Sequence, residues 1–125
     1  MHTIRKGLLW GQGLLYVLAG AWPLLHMPSF LAVTGPKNEV WLVVTVGVLV
    51  LAIGAAMLCS ACQTGEEASV GLLAFFCALG LAAVDVRYAT REVIRDVYLL
   101  DAAIESVFAL GWLWVFWKGS RPRRD

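Results

Sequence analysis

Charge is scarce in this 125-residue sequence: Asp, Glu, Lys and Arg make up 15% of it, against 60% hydrophobic residues. Soluble domains carry about 25% charged residues, so the composition argues against a water-soluble fold, and its apolar content excludes intrinsic disorder. Three cysteines are too few for a disulfide framework. There is no His-rich or Cys/His cluster, no Gly-rich phosphate loop and no GxSxG, so the sequence points to no metal and no cofactor. A net charge of +1 leaves no basic footprint for nucleic acid. The length allows one domain.

Long apolar runs are what remains. A membrane-spanning helix needs about 20 mostly apolar residues, and four stretches qualify, at about 8–27, 40–60, 68–86 and 97–117. The runs are continuous instead of alternating, which excludes a barrel, and an open sheet edge cannot exist in lipid. The expected fold is all-α: an integral membrane four-helix bundle, a single domain over 1–125, with both termini on the same side. A small-x-small sequence at Ala19-Gly20-Ala21 has the form of a signal-peptide cleavage site. The apolar run continues through Trp22, Leu24 and Leu25, however, as a full span does.

Aromatic residues mark the two ends. Trp10, Trp114 and Trp117 fall at one, and Trp22, Trp41, Tyr88 and Tyr98 at the other, which suits the headgroup zones. The end with the termini and the Glu66–Glu67 loop carries Arg5, Lys6, Lys118, Arg121, Arg123 and Arg124, against Lys37, Arg87, Arg91 and Arg95 opposite. That bias predicts cytoplasmic termini, and the expected location is the cell inner membrane, as a multi-pass protein. The bilayer is then the first partner, with a homodimer or a membrane partner subunit as further ones. The basic tail from Lys118 reads as an orientation signal.

Gly35-Pro36 is a turn signal in the linker from Pro28 to Glu39; the linker reads as an interfacial loop, or alternatively as a lid over the bundle mouth. The short Gln63–Glu67 turn predicts that the second and third spans are antiparallel neighbours. Charges at 87, 91, 92, 95 and 96 recur at helical spacing and are expected to extend one or both flanking helices beyond the membrane. Gly13 and Gly20, Gly47 and Gly54, and Gly71, Ala78 and Gly80 form small-residue stripes for close helix packing.

Two charges belong to neither end. Asp101 and Glu105 lie one turn apart in the fourth span, with Tyr98, Phe108 and Trp112 continuing their face. At 1.5 Å per residue Glu105 lies roughly 12 Å into the span. A carboxylate there costs about 2.5–3.5 kcal/mol on the insertion scale, so both acids should face the bundle interior. Asp85 and Arg87 close the third span, His26 ends the first, and Glu39 precedes the second. His26, Glu39, Asp85, Arg87, Tyr98, Asp101 and Glu105 are therefore the candidate ligand-binding residues of a polar pocket in the outer half. Alternatively, the aspartates pair with loop arginines and Glu105 links helices.

Cys59-Ser60-Ala61-Cys62 is a CxxC at the end of the second span. Membrane thiol–quinone oxidoreductases also combine four helices with a CxxC, but they need a further thiol pair, and the remaining cysteine is Cys77. Small, weakly polar residues at a helix end are the plainer reading. Small multidrug exporters are also four-helix chains of this size, with a carboxylate in the first helix. Here that helix holds Gln12 instead, and transport would rest on Glu105.

The run GPKNEVWLVVTVGVLVLAIGAAML from Gly35 to Leu58 and the later VYLLDAAIE resemble small bacterial four-helix membrane proteins of the DoxX-like kind. In these the second helix carries spaced glycines, as at Gly47 and Gly54, and an acidic residue can precede it, as Glu39 does. The resemblance implies the four-helix architecture and at most an accessory role beside quinone-linked oxidoreductases. It brings no catalytic residues with it. The expected function is a small binding or accessory module for a lipid-like or small amphipathic molecule. A proton-coupled transporter working as a dimer and a membrane enzyme, quinone-linked or pairing His26 with Asp101 or Glu105, are the competing classes.

Overall fold

The computed structural model describes residues 2–37, 39–63, 68–90 and 97–119. They form five helices: α1 (His2–Leu25), α2 (Met27–Thr34), α3 (Val40–Cys62), α4 (Ala68–Thr90) and α5 (Val97–Gly119). No strand occurs among the described residues. All but α2 are long and apolar enough to cross a membrane, so the molecule is an all-α four-helix transmembrane bundle. The Glu66–Glu67 loop, the charged residues at 91, 92, 95 and 96, and the tail with Arg121, Arg123 and Arg124 lie outside the described residues.

The first span begins at Thr3, five residues before its apolar run. Burial explains the early start: Arg5, Leu9, Gln12, Tyr16, Gly20 and Pro23 recur three or four apart and form one inward face of α1, the periodicity of a packed helix. The polar first turn belongs to that face.

Two tight helix pairs make up the bundle. α1 packs along α3, and α4 packs along α5. In the first pair Gly20 meets Gly47 and Gly13 meets Gly54, backbone against backbone. A Cβ on Gly20 would lie 2.5 Å from the Leu51 nitrogen and 2.6 Å from the Gly47 carbonyl oxygen, and one on Gly54 would lie 2.7 Å from the Val17 nitrogen. The seven-residue spacing is the same in both helices, so the antiparallel backbones close on each other at two points two turns apart. Dispersion between closely packed surfaces is what associates helices in lipid, where there is no hydrophobic drive between them.

Alanines do the same for the second pair. α4 buries Gly71, Ala74, Ala78, Ala82, Asp85 and Ala89, and α5 buries Ala102, Glu105, Ala109 and Trp112. Both stripes repeat every three or four residues. Gly71 leaves room for the Trp112 and Phe116 rings, whose atoms would lie 3.1 and 3.2 Å from an added Cβ.

Two expectations are corrected. The second and third spans, α3 and α4, are joined by a short connection but scarcely touch. The short turn sets their direction, while the matched glycines pull α3 onto α1. Gly80 is not a packing glycine: a Cβ there would meet nothing within 4 Å. It faces an apolar depression of about 320 Å³ between α3 and α4, shared with Val50, Ile53, Phe76 and Cys77.

Packing also divides the bundle lengthwise. Leu9, Met57, Ala61, Ala74 and Trp112 fill the half nearer the termini, with Tyr16 at its inner limit. The opposite half is hollow. Substituting Gly20 or Gly54 by Ala is expected to destabilise the fold by about 1–3 kcal/mol, the usual cost of overpacking, whereas Gly80→Ala is neutral. Reversible unfolding in mixed micelles checks this, and equal effects at all three positions would show that α1 and α3 do not meet at glycine.

Candidate functional site

Four buried polar side chains form a directed chain across the middle of the bundle. The Trp112 indole N–H donates to Gln12 Oε1 at 2.7 Å. Gln12 Nε2 donates to the Ala74 carbonyl at 2.9 Å and to the Tyr16 hydroxyl at 3.2 Å. Tyr16 then donates its proton to Glu105 Oε2 at 2.7 Å. The hydrogen inventory closes: indole is donor-only, the amide gives two protons and accepts one, and the hydroxyl accepts one and gives one. The bonds from Trp112 through Gln12 and Tyr16 run toward the carboxyl group, and the second amide proton goes aside to Ala74. Gln12 is fully buried and Glu105 is 2% exposed, so each missing partner would leave a polar group stranded without water.

This chain is also a polar link between the helix pairs. Gln12 and Tyr16 stand on α1, Ala74 on α4, and Glu105 and Trp112 on α5. Apolar contact adds to it where Leu8 packs on Gly111 and Phe108 on Gly11.

Beyond Tyr16 and Glu105 the bundle opens into a cavity of about 790 Å³, walled by all five helices. Leu15, Ala19, Val43, Val50 and Leu81 represent its apolar lining. Asp85, Tyr98 and Asp101 line it too, above the Tyr16–Glu105 floor. The Asp85 and Asp101 carboxyls adjoin each other on that wall. Asp85 is 5% exposed, and its Oδ2 has no hydrogen-bond partner among the described residues. Such an orphaned buried oxygen calls for a donor from elsewhere. At the rim, Leu18 is 68% exposed and Val33, Leu42 and Val46 are exposed as well, so the opening is apolar.

The linker after α1 is a helix across this cavity, not an irregular loop. α1 stops at Leu25, and His26 caps α2: its Nδ1 accepts the Ser29 backbone N–H at 3.2 Å, satisfying one orphan donor of the new helix. Pro28 follows in the first turn, where its missing N–H costs nothing. Trp22 folds α2 back by donating to Ser29 Oγ at 2.8 Å and meeting Phe30 edge to face, with ring centroids 5.4 Å apart. Gly35, at φ 98°, ends α2 by donating to the Leu31 carbonyl; its left-handed backbone suits glycine. Lys37 Nζ then donates to Thr34 Oγ1 at 2.9 Å and to the Gly35 carbonyl at 3.1 Å. It also lies over the Phe30 and Tyr98 rings, 5.3 and 5.4 Å from their centroids. The ammonium thus ties α2 to α5 by cation–π contact.

Of the residues predicted from sequence, Asp85, Tyr98, Asp101 and Glu105 come together at the cavity. His26, Glu39 and Arg87 lie outside its lining. His26 is an exposed helix cap. Glu39 is exposed and accepts the Trp41 indole N–H at 2.9 Å. Arg87 points outward from the last turn of α4, since residues two apart on a helix do not share a face. Cys59 and Cys62 are exposed free thiols, and Cys77 is a half-buried one on another helix. Among the described residues no three His, Cys, Asp or Glu side chains are placed to hold a metal ion. Tyr16, Lys37 and Thr34 are site residues that sequence reading missed, and Gln12 and Trp112 support the site from beneath.

No protein-family model matches this chain, nor does any curated protein or solved structure at a meaningful level of similarity.

Glu105 variants separate its bond from its charge. Glu105→Gln keeps an oxygen to accept the Tyr16 hydroxyl and is expected to stay within about 0.5 kcal/mol of the parent stability, while Glu105→Leu strands that hydroxyl and loses about 1–2 kcal/mol. Unfolding midpoints of the two variants in the same micelles provide the comparison.

Proposed function

We propose that this protein is a membrane binding module that holds a small amphipathic, lipid-like molecule in the hollow half of its bundle. The observation that carries the reading is the cavity itself. It has about 790 Å³ of apolar-walled space with three carboxyl groups gathered at one part of its wall. Ligand sites are commonly apolar concavities of about 300–1,000 Å³ with a few convergent polar groups that fix orientation. A tail would lie against Leu15, Val43 and Val50, and the polar end would reach Asp85, Asp101 and Glu105. The exposed apolar rim suits entry from hydrocarbon, not from water.

The same proposal covers its setting. The Lys and Arg bias favours cytoplasmic termini, which makes the cavity face the other side, and the DoxX-like resemblance suggests a bacterial inner membrane. The DoxX-like resemblance adds an accessory role beside a larger membrane enzyme. A proton-coupled transporter would use the same carboxyls within a dimer, but the binding reading needs only the cavity in one chain. An acid–base enzyme built on His26 finds less support, because that ring is engaged at the helix junction.

N-phenyl-1-naphthylamine, an uncharged dye that fluoresces in apolar sites, tests occupancy. Saturable fluorescence is expected with the parent protein in nanodiscs and a loss of at least fivefold in Val46→Trp, which fills the rim from an exposed position. An identical, non-saturating rise in both would overturn the reading.

A further inference from the structure

We infer that the polar end of the bound molecule is a protonated amine. This inference rests on the binding reading above and names the chemistry of the ligand's head.

The inference comes from counting donors and acceptors on the cavity wall. The Tyr16 hydroxyl proton is spent on Glu105. The Thr34 hydroxyl proton goes to the Phe30 carbonyl at 2.7 Å. The Trp22 indole N–H is spent on Ser29. Lys37 directs its ammonium protons to Thr34 Oγ1, the Gly35 carbonyl and, at 3.4 Å, the Thr34 carbonyl. Tyr98 adds a hydroxyl that can donate or accept. Against these engaged donors stand three carboxyl groups: Glu105 Oε2 takes the Tyr16 proton, and Asp85 Oδ2 is buried and without a partner among the described residues. Among the described residues the wall offers an unpartnered acceptor and has few donors left, so a complementary ligand brings donors.

Charge and shape narrow the choice further. Three carboxyl groups face the cavity with one ammonium, Lys37, at its edge. A carboxylate or phosphate head would add acceptors where Asp85 Oδ2 already lacks a partner, and hydrogen bonds between ionised partners are roughly twice as strong as neutral ones. A metal ion is disfavoured by the absence of a three-ligand cluster among the described residues. The wall already accommodates an ammonium: Lys37 Nζ sits over Phe30 and Tyr98, both lining residues. An alkylammonium ion meets every one of these conditions, with N–H donors for Asp85, a positive charge for Asp101 and Glu105, and an apolar tail for the rest.

A chain-matched series provides the test. Octylamine, octanol and octanoate are titrated calorimetrically into the protein in nanodiscs of zwitterionic lipid at neutral pH, with empty discs subtracted. Octylammonium is expected to bind at least tenfold more tightly than either of the others. Asp85→Asn and the less buried Asp101→Asn, each with an unchanged unfolding midpoint, are expected to lose at least fivefold of that affinity. Octanol or octanoate binding as tightly as the amine would overturn the inference while leaving the binding module intact. So would undiminished amine affinity in Asp101→Asn should Asp85→Asn fail to fold. If none of the three binds, the binding reading falls with it.

Discussion

Everything in this bundle turns on one directed run of hydrogen bonds, Trp112 to Gln12 to Tyr16 to Glu105. Each helix pair has its own glycine or alanine seam and holds together by close packing. Between the pairs there is much less small-residue contact. What joins them is a set of groups that cannot be left unpaired in hydrocarbon. The cost of exposing Glu105 to lipid becomes, once Tyr16 reaches it, the reason the pairs associate in one register. Such a network rigidifies only when every member is satisfied, and here the inventory of its amide, indole and phenol closes.

The same constraint places the cavity. Below the network, large side chains such as Trp112, Leu9 and Met57 interlock. Above it, the buried residues on α1 are Gly20 and Pro23, which are spent on contact with α3. Little bulk remains to reach α5, and the space is left open. α2 then crosses that space because His26 and Pro28 end one helix and start another within three residues. Floor, walls and cover thus have separate causes: a polar network, two small-residue seams and a capped helix break.

Much of the architecture was legible in the sequence. Continuous apolar runs can be only helices in lipid, and Asp85, Asp101 and Glu105 stood out because each breaks such a run at a cost. The pairing of α1 with α3 was written in the equal spacing of Gly13 to Gly20 and Gly47 to Gly54, although the short turn before α4 drew attention to a different neighbour. Tyr16 was not legible. A tyrosine inside an apolar run reads as hydrocarbon until its hydroxyl finds an acceptor 89 residues away. His26 misled for the opposite reason: an imidazole near carboxylates suggests chemistry, while its actual work is local, accepting from a backbone N–H three residues on. Lys37 counted only toward orientation, since nothing in sequence brings it over the rings of Phe30 and Tyr98.

The long separations in the network also bear on how the molecule is made. Gln12 and Tyr16 are synthesised first, yet their partners lie on α5, 89 and 100 residues later. α1 and α3 can seal their glycine seam early, because both are complete by residue 62. Until the last span arrives, the amide and the phenol of α1 stay in the bilayer without the carboxylate and indole they will serve. The final helix, which carries the acids least welcome in lipid, therefore enters beside donors already in place. A chain stopped before α5 would present that polar face to any other membrane protein with an acceptor to offer.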